Sequence, residues 1–379
     1  MKKIIIILAL IFLNQNQVFA LDEITLDLNN NPTQQDLSLF GSIIETAKQL
    51  PTKEYEGYEQ VPGLFKDALT MNFKEGPVES IHTWAVMQTN FDSQINETNS
   101  GTKFNVPLIN VLFDTKMKGG KDNFRLMLDV SHQHNRPFFN QFVQDAYYET
   151  TRIPHHKVLI GNSRPTVGQE GGQSPYTLPF VYRSQISRNF GSARKVGVRV
   201  RGDYSLVDYD IGGYSSDTFF SEFMPGVEFD GWVNVHPLAK TSHKGKLTTG
   251  GGISSGSRNS TDYFVGGTYL GYSYKNFWTK MEYAVANGSN GGSGLTSKHR
   301  QGWYVTVGYH LTKKLELLAR YDDFNPDKKI HNNNQREYTA GINYYLKGQS
   351  LKLILNYIYC QNQAKSNSHR ILLGTQIAL

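Results

Sequence analysis

The chain has 379 residues, with 39 Lys and Arg against 33 Asp and Glu for a formal net charge of +6, and a single cysteine, Cys360. One thiol excludes an internal disulfide, and the lack of any apolar run of about eighteen residues excludes a membrane-spanning helix. With 35 Gly, 22 Tyr and 21 Phe at a mean hydropathy of −0.46, the chain is too polar for a large soluble core, but its composition suits a sheet in which only alternate residues meet lipid.

In chain order, "MKKIIIILALIFLNQNQVFA" (1–20) places Lys2 and Lys3 before an apolar run, Ile4 to Leu13, and ends with Val18 and Ala20 at the −3 and −1 places of a cleavage site. This reads as a bacterial secretory signal peptide. Residues 21–75 read as a periplasmic segment. Leu37, Phe40, Ile43, Ile44, Ala47 and Leu50 recur at helical spacing, with Asp36 as a cap and Pro51 as a stop. Self-association and plugging of a pore mouth both fit that short helix.

From residue 76 to 379 the period changes to two. Strands are predicted near 81–91, 107–116, 124–133, 142–151, 157–164, 194–203, 206–212, 228–236, 246–253 and 263–274. Six more start at Phe277, Trp303, Leu315, Tyr338, Leu351 and Ile371. In "KVGVRVRGDY" (195–204), Val196, Val198 and Val200 share one face while Lys195, Arg199 and Arg201 share the other. Sixteen strands predict an all-β fold, a closed antiparallel transmembrane barrel, because closure leaves no backbone group unpaired in lipid. The connections "LTKK" (311–314) and "KGQS" (347–350) are tight. Those at 286–302, 324–335 and 361–369 are long and polar, the asymmetry of periplasmic turns and extracellular loops.

Between the fifth and sixth strands, residues 164–193 show no alternation yet carry Phe180, Tyr182, Ile186 and Phe190. A long irregular loop usually has a function, and in the channel barrels that this pattern resembles the third long loop folds inward and narrows the channel. The final strand, "RILLGTQIAL", puts Ile371, Leu373, Thr375, Ile377 and Leu379 on one face, like an outer-membrane assembly signal with Leu in place of the usual terminal aromatic.

"GWYVTVGYHLTKKLELLARYDDFNPD" (302–327), "YTAGINYYL" (338–346), "LPFVYRS" (178–184) and the 195–204 strand together resemble the phosphate-selective porin O and P family. The resemblance spans roughly residues 75–379 and is carried by order and spacing. It implies a sixteen-stranded homotrimeric channel of the bacterial outer membrane, with arginines passing small anions, phosphate among them. Arg199 and Arg201 match the ladder strand and Lys195 extends it. By parity Arg125, Lys280 and Arg320 face the lumen too, and Arg183 and Arg188 are the loop cations expected to reach it. Rows of cations select anions by field, and the guanidinium fork suits phosphate. The chain departs from the family in having no lysine in 165–193 and in carrying Glu170 there. Asp129, Glu282, Glu316 and Asp322 are lumenal by parity and able to mute the cations.

The expected function is therefore a passive diffusion porin preferring small anions. The alternatives are a non-selective diffusion porin and a surface-display or adhesin barrel, for which the loops are short. No G-x-S-x-G or H-E-x-x-H sequence points to an enzyme. No cofactor or metal is expected. His132, His134, His155 and His156 read as rim residues, and "DFNPDKK" has Lys328 where a calcium loop needs glycine. Membrane lipid is an expected partner, and nucleic acid is not.

Overall fold

The computed structural model describes residues 69–96, 100–131, 142–218, 222 and 224–379. The expected signal peptide, the helix near 36–50, and His132 and His134 lie outside them. Among the described residues, seventeen strands form one sheet: β1 (Thr70–Asn72), β2 (Val78–Asn96), β3 (Ser100–Met117), β4 (Asp122–Asp129), β5 (Val143–Thr150), β6 (His156–Ser163), β7 (Lys195–Asp203), β8 (Val207–Ser215), β9 (Val227–Val235), β10 (Lys246–Arg258), β11 (Thr261–Tyr274), β12 (Phe277–Gly291), β13 (Gly294–His310), β14 (Leu315–Asn325), β15 (Gln335–Lys347), β16 (Leu351–Asn362) and β17 (Ser368–Ala378).

Each strand from β2 to β17 pairs antiparallel with its neighbour in sequence, and β17 pairs with β2, so these sixteen close into a barrel. The closing seam runs from Ser368↔Asn96 to Ala378↔Val86. Where β17 ends, the Leu379 amide donates to the Ala85 carbonyl at 2.8 Å, and β1 takes over the same edge of β2, from Thr70↔His82 to Asn72↔Ser80. The sheet thus begins at Thr70, inside the segment read as preceding the barrel.

The faces are inverted relative to a soluble protein. Val196 and Val198 are 41% and 49% exposed, while Lys195 and Arg199 are 2% and 5% exposed. Phe229, Leu270, Met281, Tyr309, Leu317 and Ile371 are likewise exposed on the outer face, and Lys352, Gln376, Asn343 and Glu316 are buried inside. Alternation sends greasy side chains to lipid and polar ones to the bore.

One expected loop is absent. Residues 286–302 continue β12 to Gly291 and start β13 at Gly294, leaving a two-residue tip. The glycines and serines that mimic a loop serve close approach. Gly288, at φ +71°, provides a bulge between Asn287 and Ser289, and the Gly292 amide donates to the Gly191 carbonyl at 2.8 Å.

Candidate functional site

Residues 164–194 leave the wall after β6, run over its inner surface and return at β7. Two short helices, α1 (Gln169–Gly172) and α2 (Gln185–Phe190), and a 3-10 turn (Pro175–Thr177) order this loop. Tyr176 packs in an apolar cluster with Trp84, Val86, Leu108, Leu112, Met127 and Ala378 on one side of the wall. Across the bore, Ile186 and Phe190 pack with Val265, Ala284, Ala286, Tyr304 and Phe324. Among the described residues, these two clusters form the hydrophobic core between loop and wall.

Polar anchors complete the docking. The Lys352 ammonium donates to the carbonyls of Tyr176 and Leu178, both at 3.0 Å, and Asn343 donates to that of Pro179 at 2.9 Å. Wall acids cap the loop helices. Glu282 accepts the Gln169 amide at 2.8 Å, and Asp322 accepts the Gln185 amide at 3.1 Å. Orphan amides at a helix start favour such a carboxylate. Of the acids expected to mute cations, Glu282 serves the loop backbone. Glu316 accepts from Trp278, Asn343 and Tyr345. Asp129 accepts from Ser131. Asp322 alone among these four also contacts a candidate cation, the Arg320 guanidinium, at 2.7 Å.

The eight candidate cations divide into three kinds. Lys195 is paired with Glu228, Arg125 with Asp114 at 2.5 Å and Arg188 with Glu337 at 2.8 Å. Arg320 lies between Asp322 and the Glu170 carboxylate at 3.6 Å, with its plane over the Phe180 ring. These four are largely neutralised. Arg199 and Arg201 share one acid. The Arg199 guanidinium grips Asp210 with two N–H groups and donates to the Arg164 carbonyl at 2.7 Å and Thr166 at 3.2 Å. Arg201 is 3.8 Å from the same carboxylate, with 29% of its side chain exposed.

The third kind converges on Gln173, a residue the sequence did not single out. Arg183 donates to its carbonyl at 2.6 Å and to that of Glu170, Arg164 donates to the same Gln173 carbonyl at 3.0 Å, and Lys280 meets its side-chain oxygen at 3.5 Å. Here the acceptors are neutral. Burial alone would raise the nearby Glu170 carboxyl, but Lys280, Arg320 and Arg183 hold it down to about 2. Lys157 was also missed. It faces Arg201 directly across β6 and β7 and is exposed. Strand parity was the signal for it, since it shares the face of Leu159 and Ser163. Among the described residues, no group of three or more His, Cys, Asp or Glu is arranged for a metal ion. His155 stacks on Tyr204 at the rim, 4.9 Å between centroids.

Residues 240–378 match the family model described as phosphate-selective porin O and P. Several solved structures share the fold. The anion-selective porin from Comamonas acidovorans aligns at TM-score 0.59 and 10% identity, over 79% of this chain and 99% of its own. The outer membrane channel DcaP of Acinetobacter baumannii aligns at 0.59 and 11%, over 81% and 99%. A loop-deletion form of OmpT from Vibrio cholerae aligns at 0.57 and 10%, over 79% and 99%. No curated protein matches the chain. The fold is that of outer-membrane channel barrels.

Proposed function

We propose that the bore passes small anions in preference to cations, oxyanions of phosphate size among them. The observation that carries this is the charge balance along the loop and the wall beside it. At Gln173, Arg164, Arg183 and Lys280 meet neutral oxygens; of the acids nearby, Glu170 stands among several cations, Glu282 caps the loop backbone and Asp145 is paired with Arg194. On β7, two guanidiniums share Asp210, and exposed Lys157 stands opposite one of them. The surplus is positive at Gln173, while on β7 Asp203 and Asp208 lie further along the same face and balance the cations more closely. A weak surplus attracts an anion without trapping it. The preference is expected to be mild, and the resemblance to the family and the anion selectivity of the Comamonas porin support its sign. The homotrimer implied by the resemblance belongs to the same proposal, and no reaction is assigned to the bore.

A non-selective diffusion channel is the second reading. The pairing of Lys195, Arg125 and Arg188 with Glu228, Asp114 and Glu337 favours it. Reversal potentials in a potassium chloride gradient, repeated in phosphate, separate the two. The anion reading expects a potential of anion sign in the wild type that moves toward zero in Lys157→Ala/Arg201→Ala. A wild-type potential at zero supports the second reading.

A further inference from the structure

Lys280 on β12 is a wall cation with little to hold it. An ammonium carries three N–H donors. Among the described residues this one meets a single hydrogen-bond acceptor, the Gln173 side-chain oxygen at 3.5 Å, and stands 5.8 Å from the centroid of the Trp278 ring. The neighbouring acids are occupied elsewhere. Glu282 accepts the Gln169 and Glu170 amides at 2.8 and 3.3 Å and the Tyr304 hydroxyl at 3.0 Å. The Glu170 carboxylate accepts the Ser184 amide at 3.3 Å and lies 3.6 Å from Arg320. Lys280, Gln173 and Arg164 are each partly exposed, so the cluster is not sealed beneath the loop.

Gln173 is aimed at this ammonium by its own loop. Its side-chain nitrogen donates to the Thr177 carbonyl at 3.2 Å and to the Thr177 hydroxyl at 3.1 Å. A carbonyl only accepts and an ammonium only donates, so the amide has one consistent orientation, with its oxygen toward Lys280. The Thr177 hydroxyl donates in turn to the Ser174 carbonyl at 3.1 Å, which fixes its rotamer. The Gln173 main-chain carbonyl takes Arg164 at 3.0 Å and Arg183 at 2.6 Å, which pins the backbone below the side chain. A neutral oxygen is thus held where the oxygen of an anion would meet Lys280.

We propose that the Gln173 side-chain amide is a tethered competitor for the permeating anion at Lys280, oriented by Thr177, and that it sets how long an oxyanion dwells there. A charged oxygen accepts from an ammonium about twice as strongly as a neutral one, so an arriving oxyanion displaces the amide. The amide stays tied to its loop and returns as the anion leaves. Conduction needs both attraction and release, and one uncharged side chain tunes the balance between them. The inference deepens the anion reading and rests on it.

Planar-bilayer recordings of the full chain test it, with inorganic phosphate added as a blocker of the chloride current. Gln173→Ala removes the competitor and should lower the half-blocking phosphate concentration about fivefold. Thr177→Val frees the amide and should shift it the same way, by about twofold. Gln173→Glu ties Lys280 in an ion pair and should raise it at least about tenfold. In a Lys280→Gln background the effect of Gln173→Ala should vanish, a coupling that a merely structural role would not produce. Equal phosphate block in wild type and Gln173→Ala, or an effect of Gln173→Ala that persists without Lys280, overturns the proposal. A wild-type reversal potential at zero removes the anion reading itself, whereas a potential of anion sign with unchanged block in the Gln173 variants removes only this inference. Should Gln173→Ala give no conducting barrel, Thr177→Val decides in its place.

Discussion

Arg199 and Arg201 lie two residues apart on one face of one strand, yet they differ in what surrounds them. Arg199 spends its donors on Asp210, Thr166 and the Arg164 carbonyl, and so ties the start of the loop to the wall. Arg201 keeps part of its side chain exposed. Removing one partner of a buried ion pair leaves the other charge uncompensated, at about 3–5 kcal/mol. Arg199→Ala is therefore expected to lower barrel stability by that order in urea unfolding, and to make single-channel current noisier. Its reversal potential should also move toward zero, because Asp210 is then left to neutralise Arg201 alone. Arg199→Lys should recover little, since one ammonium cannot match a planar fork with four acceptor contacts.

The loop acts as an element because it is anchored on opposite sides of the bore by separate apolar clusters and by capped helices. Its close contacts require glycine at Gly168. The backbone there has φ +78°, and a Cβ would stand 2.4 Å from the Glu282 carboxylate that caps α1. Glu170 sets the pH behaviour of the anchoring. Its carboxyl is lowered from about 4.5 to about 2 by Lys280, Arg320 and Arg183, against burial. A lowered carboxyl stabilises the fold fully above its ordinary value. That contribution fades as pH falls from about 4.5 and is gone below about 2. Planar-bilayer recordings across that window are expected to show loop-dependent current fluctuations that grow toward the acid end. Glu170→Gln should show the same fluctuations already at neutral pH and little further change on acidification. A wild-type trace that changes only above pH 5 would contradict this assignment.

The barrel is organised inside out, and its outer surface carries the stability consequence. Val198 is exposed near the middle of β7. Val198→Arg would put a charge against acyl chains, at about 2–4 kcal/mol for a site near the bilayer midplane. Urea unfolding in lipid vesicles should show a loss of that size, and a much smaller one in detergent micelles, whose surface adapts around a charge. The number and order of strands were legible because alternation is local. Val196 and Val198 declare their face without reference to any other strand. The 286–302 segment was misread for the converse reason. Its glycines and serines have loop propensity, and only the docked loop, with Gly191 meeting Gly292, makes them strand. That residues 164–193 lacked a period was also visible, but the cluster at Gln173 was not, since an uncharged residue between cations carries no signal of its own.

By itself the sequence determined the period, the inward and outward faces and the closed antiparallel barrel, because each follows from side chains that alternate along one strand. Only the tertiary structure decided which cations keep their charge for the bore. Parity assigns a side chain to a face but not to a height or a partner. Arg188 meets a carboxylate 149 positions away at Glu337, and Arg199 one only 11 positions away at Asp210. Coulombic neutralisation depends on those through-space distances, which no local pattern records.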